Sequence, residues 1–299
     1  MDELVINLSE VPVEQGKFRT QNSSNERFRP LLVDRGNQLL TKVRIVGITH
    51  GELCETNDSA TLLIFEFRFV ATGGRRFKNA SATFTFADSE RQMRRDPVVH
   101  AICPDGQWAL NRTEKIQTVK RGASAGIKAG VDLGGAELGF QWEATEAMSR
   151  GYYTALSGSS LVNRRPCVGD ENVVVWELEE NEDKKDGIPT FMRAAVLLRR
   201  PFDTPFTFTV KIQTDVDFIG EMKTLFGMER KDQIDPVEIA PGVSPRARHA
   251  TVATLDPKAH NLREMDNLDL KQVAGVTVVT ILDGAQLDGG TKGAHREQP

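Results

Sequence analysis

Alternating side chains over residues 59–89 constrain the fold of this chain more than any other feature of its sequence. In this segment, SATLLIFEFRFVATGGRRFKNASATFTFADS, phenylalanine recurs at every second position on both sides of a Thr72-Gly73-Gly74-Arg75 sequence. Because successive side chains of a β-strand point to opposite faces, the alternation predicts two strands with one aromatic face each. The glycine pair predicts a tight hairpin turn between them. We expect the aromatic strip to lie in a sheet core and to consist of Phe65, Phe67, Phe69, Phe84 and Phe86.

The same alternation recurs along most of the chain. Strands, or strand pairs joined by Gly/Pro turns, are predicted for NQLLTKVRIVGITHG, PVVHAICPDGQWALN, ENVVVWELEEN, IPTFMRAAVLLRRPF and TPFTFTVKIQTDVDF. Roughly nine such segments and little helical pattern predict an all-β fold, an antiparallel β-sandwich or barrel. In the last of these segments we expect one buried side, formed by Phe206, Phe208, Val210 and Ile212.

Three regions of different composition are predicted. Residues 1–36 form a polar N-terminal arm, residues 37–218 form the β-rich core, and residues 219–299 form a mostly irregular appendage with a disordered tail. Within the core, residues 146–170 are rich in Gly, Ser and Arg and predict a long loop. In the appendage, FIGEMKTLFGMER predicts a short amphipathic helix.

Composition and charge argue against several functional classes. The chain has 299 residues, of which 27% are charged, and its net charge of −4 gives no strong positive field for nucleic acid or anionic lipid. Its three cysteines lie far apart, so neither a disulfide framework nor a zinc site is predicted, and no other metal or cofactor is expected. A signal-peptide pattern is absent, and no apolar run approaches the roughly 18 residues of a membrane helix. We therefore expect a soluble, cytoplasmic protein.

A glycine-rich stretch, SAGIKAGVDLGGAELGFQWE at residues 124–143, predicts a second hairpin with its turn at Gly134-Gly135. One face of this hairpin is small and apolar and can pack, whereas the other carries glycine and charge and requires a cover. Three alternatives for what covers the glycine-bearing face remain: the protein's own loop, a partner's backbone, or lipid after a rearrangement. We predict a binding surface at Ala125, Lys128, Ala129, Gly130, Gly139, Gln141, Glu143, Tyr152 and Tyr153.

Candidates for catalysis are weaker. His50 follows a predicted strand and is a candidate site residue, although a solvated turn histidine is the plainer interpretation. His100 and Cys103 fall on opposite faces of a predicted strand, which does not suit a nucleophile and its base. Glu177 and Glu179 share a strand face, where two carboxylates would suit acid–base chemistry, but a charged strand end explains them more simply.

Three functional hypotheses follow. The first is a non-catalytic binding protein that uses the glycine-rich hairpin to bind a protein partner. The second is a membrane-active, pore-forming-like protein that inserts the hairpin at 118–145. The third is a cofactor-free cyclase or isomerase that binds a small apolar ligand inside a β-barrel. The cavity of such an enzyme would be lined by Phe65, Phe67, Phe69, Phe84, Phe86, Trp108 and Trp176.

A family resemblance adds a biological source but no mechanism. The run VVVWELEENEDKKDGIPTFMRAAVLLRR follows a Gly/Ala-rich β segment and a Gly-Tyr-Tyr…Leu-Ser-Gly loop. Over residues 40–217, this combination resembles an uncharacterised family of filamentous-fungal β-rich proteins. The resemblance implies a fungal intracellular protein, and it implies no activity and no site residue.

Overall fold

The computed structural model of the protein describes residues 22, 27–35, 39–72, 74–110, 153–163, 169–217, 235–242 and 252–277. The strands in chain order are β1 (Leu31–Arg35), β2 (Leu39–Glu52), β3 (Ser59–Ala71), β4 (Phe77–Asp88), β5 (Val98–Cys103), β6 (Gly106–Leu110), β7 (Thr154–Leu161), β8 (Val173–Glu179), β9 (Phe191–Arg200), β10 (Phe206–Val216), β11 (Val237–Ile239) and β12 (Gly275–Thr277). The helical elements of the described residues are 3₁₀ turns at Met93–Arg95, Met265–Asn267 and Leu270–Gln272.

The strands form two antiparallel sheets of six strands each, which do not close into a barrel. The first sheet has the order β1-β2-β3-β9, and both β5 and β12 pair with the remaining edge of β9. The second sheet has the order β11-β10-β4-β8-β7-β6. The prediction of an all-β antiparallel sandwich or barrel is therefore confirmed, in its sandwich form and with twelve described strands where roughly nine were predicted. The strands β2 to β10 lie within the predicted core region, and three shorter strands lie outside it.

Aromatic packing fills the space between the two sheets. The ring of Phe65 on β3 lies 4.3 Å from that of Phe84 on β4 and 5.8 Å from that of Phe208 on β10, measured between centroids. Trp176 on β8 is fully buried and donates its indole N–H to the Pro104 carbonyl at 3.0 Å. Because burial of a large apolar side chain stabilises a fold by roughly 1.5–3 kcal/mol, this layer contributes a large share of the folding free energy. As predicted, Phe206, Phe208, Val210 and Ile212 are all buried.

The hairpin predicted over residues 59–89 is wrong in its pairing. Its turn exists, because the Arg75 N–H donates to the Thr72 carbonyl at 3.3 Å. However, β3 pairs with β2 and β9, whereas β4 pairs with β8 and β10, so the turn carries the chain from one sheet to the other. The two aromatic strips consequently face each other across the core. Alternating aromatic residues around a Gly-Gly turn are compatible with both arrangements, and the sequence alone does not separate them.

The long loop predicted over residues 146–170 is also wrong in part, because Thr154–Leu161 form β7 between β6 and β8. Gly158 contributes to the loop-like composition for a steric reason. A Cβ at this position would lie 2.0 Å from the Pro104 carbonyl oxygen and 3.0 Å from the Trp176 ring. The glycine thus makes room for the buried indole and its hydrogen bond, and it belongs to a strand that another part of the backbone approaches closely.

The predicted arm and appendage contribute to both sheets. In the arm β1 pairs with β2, while in the appendage β11 pairs with β10 and β12 with β9. Residues 252–277 are otherwise mostly irregular and lie against the outer face of the first sheet. The boundaries of the three predicted regions stay predictions. The predicted amphipathic helix and the C-terminal tail lie outside the described residues.

Candidate binding surface

Most of the predicted glycine-rich binding surface lies outside the described residues, namely Ala125, Lys128, Ala129, Gly130, Gly139, Gln141, Glu143 and Tyr152. Tyr153 is described and half-buried, and it directly precedes β7. Leu110 at the end of β6 pairs with Thr154 at the start of β7. The described residues on either side of 111–152 therefore lie at neighbouring strand ends of the second sheet. The glycine-rich surface itself stays a prediction.

The residues predicted to line an apolar cavity are brought together in the core. Phe65, Phe67, Phe69, Phe84, Phe86 and Trp176 are at most 2% exposed. Trp108 lies half-buried at the rim of the core, where its indole N–H donates to the Asp105 carbonyl at 2.7 Å and the Lys271 ammonium lies 5.7 Å from its ring centroid. The aromatic rings pack against one another, so a ligand at this place would have to displace them. The enzyme hypothesis stays a prediction.

The outer face of the first sheet is divided into two regions of opposite character. In the region we call the covered half, residues 252–277 lie on apolar side chains of β3 and β9 such as Leu62 and Leu197. A cavity of about 20 Å³ beside Leu62 and His260 remains there, which is room for about one water molecule. Further along the same strands the outward side chains are charged. This second region, the arginine surface, consists of Arg44, Glu66, Arg68, Phe191 and Arg193.

A single carboxylate holds the three guanidinium groups of the arginine surface together. Glu66 Oε1 accepts hydrogen bonds from Arg44 Nη2 at 2.7 Å and from Arg68 Nε at 3.0 Å, and Arg193 Nη2 lies 3.6 Å from Oε2. The Glu66 side chain is 5% exposed, whereas those of Arg44, Arg68 and Arg193 are 35%, 47% and 45% exposed. Three positive charges against one negative charge leave the surface with a net charge of +2.

Electrostatics keep Glu66 ionised. Burial by itself raises the pKa of this carboxyl, but the hydrogen bonds and positive charges of Arg44 and Arg68 outweigh burial and lower the pKa below its ordinary value. The guanidinium groups of Arg68 and Arg193 each lie 5.8 Å from the centroid of the Phe191 ring, within cation–π range. The arginine surface thus combines fixed guanidinium groups with a half-buried aromatic ring.

Strand register assembles the arginine surface. Arg44 pairs with Glu66 between β2 and β3, while Glu66 pairs with Arg193 and Arg68 with Phe191 between β3 and β9. Paired residues of antiparallel strands point to the same face, so three distant segments deliver their side chains to one place. A signal was present in the sequence, because Glu66 and Arg68 are the polar positions between the aromatic ones. The aromatic positions alone predict a buried strip, and the charged positions between them were missed as a surface.

His50 is not in a turn. It lies within β2, and its Nδ1 is 2.9 Å from Thr61 Oγ1. The pKa of His50 is lowered to about 4, chiefly by burial and further by the positive charge of Arg200, against the smaller opposing effect of the negative charge of Asp203. The imidazole is therefore neutral at pH 7, and the interpretation as a solvated turn histidine is wrong.

The other catalytic candidates do not form a nucleophile site. Cys103 is buried, which raises the pKa of its thiol to about 11, whereas His100 on the same strand is exposed. At neutral pH this thiol is protonated and is a poor nucleophile. Glu177 and Glu179 are both exposed on the outer face of the second sheet.

Neither a metal site nor a membrane helix is found in the described part of the chain. Across those ranges no group of three or more His, Cys, Asp or Glu side chains is placed to hold a metal ion. No described helix is long and apolar enough to cross a membrane.

The fold and surface together define an all-β sandwich protein with an exposed, pre-organised cluster of arginines. Comparisons of the chain with protein-family models, with curated protein sequences and with solved structures found no match. The resemblance to a filamentous-fungal family accordingly stays a prediction, and function is argued from the surface of this chain.

Proposed function

We propose that this protein is a non-catalytic binding protein whose arginine surface docks an acidic segment of a protein partner. One observation carries this function: three half-exposed guanidinium groups share the buried carboxylate of Glu66. Sharing one carboxylate fixes the positions of the arginines but neutralises a single charge. Guanidinium groups bind carboxylates through paired, charge-assisted hydrogen bonds, so further carboxylates are the matching ligands.

The spacing of the guanidinium groups favours an extended partner segment. Arg68 and Arg193 occupy diagonal positions of the paired strands β3 and β9. Diagonal neighbours in a sheet lie roughly 7–8 Å apart, and alternate side chains of an extended chain lie about 6.6 Å apart. A segment with an acidic residue at every second position therefore sets one carboxylate against each of these two arginines. The ring of Phe191 offers apolar contact between them.

Salt sensitivity is a consequence of the exposure of these arginines. Ion pairs between partly exposed groups are screened by dissolved ions, so the affinity for an acidic segment falls as the salt concentration rises. This function belongs to the class predicted from the sequence, a binding protein without catalysis. It uses the first sheet, and the glycine-rich surface predicted between Ala125 and Tyr153 stays a separate prediction.

A labelled peptide tests this function directly. We expect a fluorescent peptide in which glutamate alternates with threonine to bind the wild-type chain, with binding followed by fluorescence anisotropy. Arg193→Gln removes one guanidinium and weakens binding about tenfold, equivalent to about 1.4 kcal/mol. Lys211→Gln is the matched control, because it removes one positive charge from an exposed strand position of the second sheet. Equal weakening by both variants, or no binding to the wild type, refutes docking at the arginine surface.

A further inference from the structure

We infer that a second copy of this chain supplies the acidic segment, through an acidic surface on the opposite sheet that consists of Glu177, Glu179 and Glu182. This inference rests on the proposed function of the arginine surface. It adds the identity of the partner, a second molecule of the same protein in a head-to-tail contact.

The acidic surface begins on β8. Glu177 and Glu179 point outward from the second sheet and are exposed, and Glu182 is exposed in the turn that follows. Among the described residues, none of these three carboxylates is paired with a cation. The outward residues beside Glu177 are Ser81 and Ser157, which carry no charge. The acidic surface therefore presents three negative charges to solvent.

The neighbouring carboxylate, that of Glu180, forms one of the ion pairs that hold this end of β8 in the fold. Glu180 is buried, and its Oε2 accepts a hydrogen bond from Arg76 Nε at 2.8 Å. Arg76 also donates from Nη1 to Asp217 Oδ2 at 2.8 Å, which joins β4, β8 and β10. The ion pairs that stabilise this end thus use Glu180 and Asp217. The outward carboxylates of Glu177 and Glu179 are left for a contact outside the molecule.

The two surfaces match in charge and in spacing. The acidic surface carries −3 and the arginine surface carries +2, in a chain whose net charge of −4 disfavours unspecific association of copies. Glu177 and Glu179 are two residues apart on one strand face, about 6.6 Å, which is close to the roughly 7–8 Å expected between Arg68 and Arg193. The acidic surface is therefore an extended segment with carboxylates at alternate positions.

The location of the two surfaces sets the form of the assembly. They lie on the outer faces of opposite sheets, so one molecule can use both at the same time. A contact between two different surfaces of identical molecules is heterologous, and it continues from copy to copy unless the rotation closes a ring. We expect oligomers that grow with protein concentration and dissociate in high salt.

Charge exchange between the two surfaces tests the inference by sedimentation velocity of the full chain. One variant carries Arg68→Glu with Arg193→Glu, and the other carries Glu177→Lys with Glu179→Lys. We expect concentration-dependent oligomers of the wild type at low salt, association of each variant weakened at least tenfold, and recovery when the two variants are mixed. Recovery follows because each reversed surface meets an opposite surface on the other variant.

Each outcome supports or overturns the inference. A wild type that stays monomeric at every concentration, variants that still associate alone, or a mixture without recovery overturns it. If the alternating peptide binds while the wild type stays monomeric, the second copy is refuted and acidic docking stands. If the alternating peptide does not bind the wild type, both the inference and the proposed docking function of the arginine surface are refuted. Circular dichroism checks the fold of both variants. If the variant with Arg68→Glu and Arg193→Glu does not fold, the variant with Arg68→Gln and Arg193→Gln replaces it and must weaken association.

Discussion

The covered half and the arginine surface lie on the same strands of the first sheet, but residues 252–277 bury the covered half and leave the arginine surface partly exposed to solvent. On β3, Leu62 lies under residues 252–277, and a few residues later the Arg68 side chain is 47% exposed beside the buried carboxylate of Glu66. Apolar outward side chains gain free energy when they leave water, so a segment of the same chain covers them. Guanidinium groups lose hydration when buried, so residues 252–277 do not cover them and they stay partly exposed.

Residues 252–277, which we call the cover, are attached to the first sheet by apolar burial and by backbone hydrogen bonds. The Ile48 N–H donates to the Ala253 carbonyl at 2.9 Å, and the Glu52 N–H donates to the Leu262 carbonyl at 2.7 Å. Met265, a residue of the cover itself, is fully buried in the apolar cluster that the cover forms with the first sheet. The covered half is thus part of the folded core, whereas the arginine surface is held by a single shared carboxylate. The variants below test this difference, in order of decreasing expected effect on stability.

Leu197→Ala removes apolar contacts from the covered half. Leu197 is 1% exposed, and we expect a loss of about 3 kcal/mol in the free energy of unfolding, since Leu→Ala leaves a cavity in a packed cluster. Urea denaturation measures the change. Leu161→Ala, at a residue 49% exposed, is the control and should cost under about 0.5 kcal/mol. Equal effects of the two variants would show that the cover does not bury Leu197 in solution.

Glu66→Gln tests whether one carboxylate holds the arginine surface. At pH 7 we expect a loss of about 2 kcal/mol, because three guanidinium groups lose their shared charge. The pKa of Glu66 is lowered in the folded protein, so its contribution is complete above the unfolded value of about 4.3 and disappears as pH falls through the folded value. The difference between wild type and variant should therefore vanish in acid.

Urea denaturation at several pH values measures this difference. Leu197→Ala serves as the comparison, because its effect depends on packing and stays constant with pH. A Glu66→Gln effect of the same size at every pH would contradict the electrostatic role of Glu66.

Gly51→Ala tests the attachment of the cover. A Cβ at Gly51 would lie 2.1 Å from the Leu262 carbonyl oxygen, which is backbone and cannot move away without shifting the cover. We expect a loss of about 1–2 kcal/mol and faster proteolytic cleavage within residues 252–277. Gly47→Ala is the comparison on the same strand, because the atoms nearest to its Cβ would be side-chain atoms of Ile64, the closest at 2.8 Å, and not backbone atoms of residues 252–277. Unchanged cleavage in Gly51→Ala would show that the cover is not held at this point.

Arg193→Gln should have the smallest effect on stability and the clearest effect on binding. Its side chain is 45% exposed and its guanidinium nitrogen lies 3.6 Å from Glu66, so we expect a change under about 0.5 kcal/mol in unfolding. The tenfold weaker peptide binding expected for the same variant then separates binding from folding. A large loss of stability would place Arg193 with the structural residues of the sheet.

Period-two patterns were sufficient to predict the strand content and several buried faces. The buried face of β10 follows from alternation alone, because burial of one sheet face selects apolar residues at every second position. In β8 and β9 the strand is indicated instead by a short apolar run, and β9 is buried on both faces over most of its length. The same local signal failed where a choice depended on distant residues. Whether β3 and β4 share a sheet depends on their pairing with β9 and β8, and β7 was missed because Gly158 reflects the position of Trp176.

For this protein the sequence by itself determined that the chain forms strands, which of their faces are apolar, and which positions between the aromatic residues carry charge. Tertiary structure decided what those charges do. Arg44, Glu66 and Arg193 are separated by long stretches of chain, and the register of three strands brings them to one carboxylate. Register arises from the packing of whole sheets, so a property that depends on it, such as the arginine surface, becomes visible only in the folded molecule.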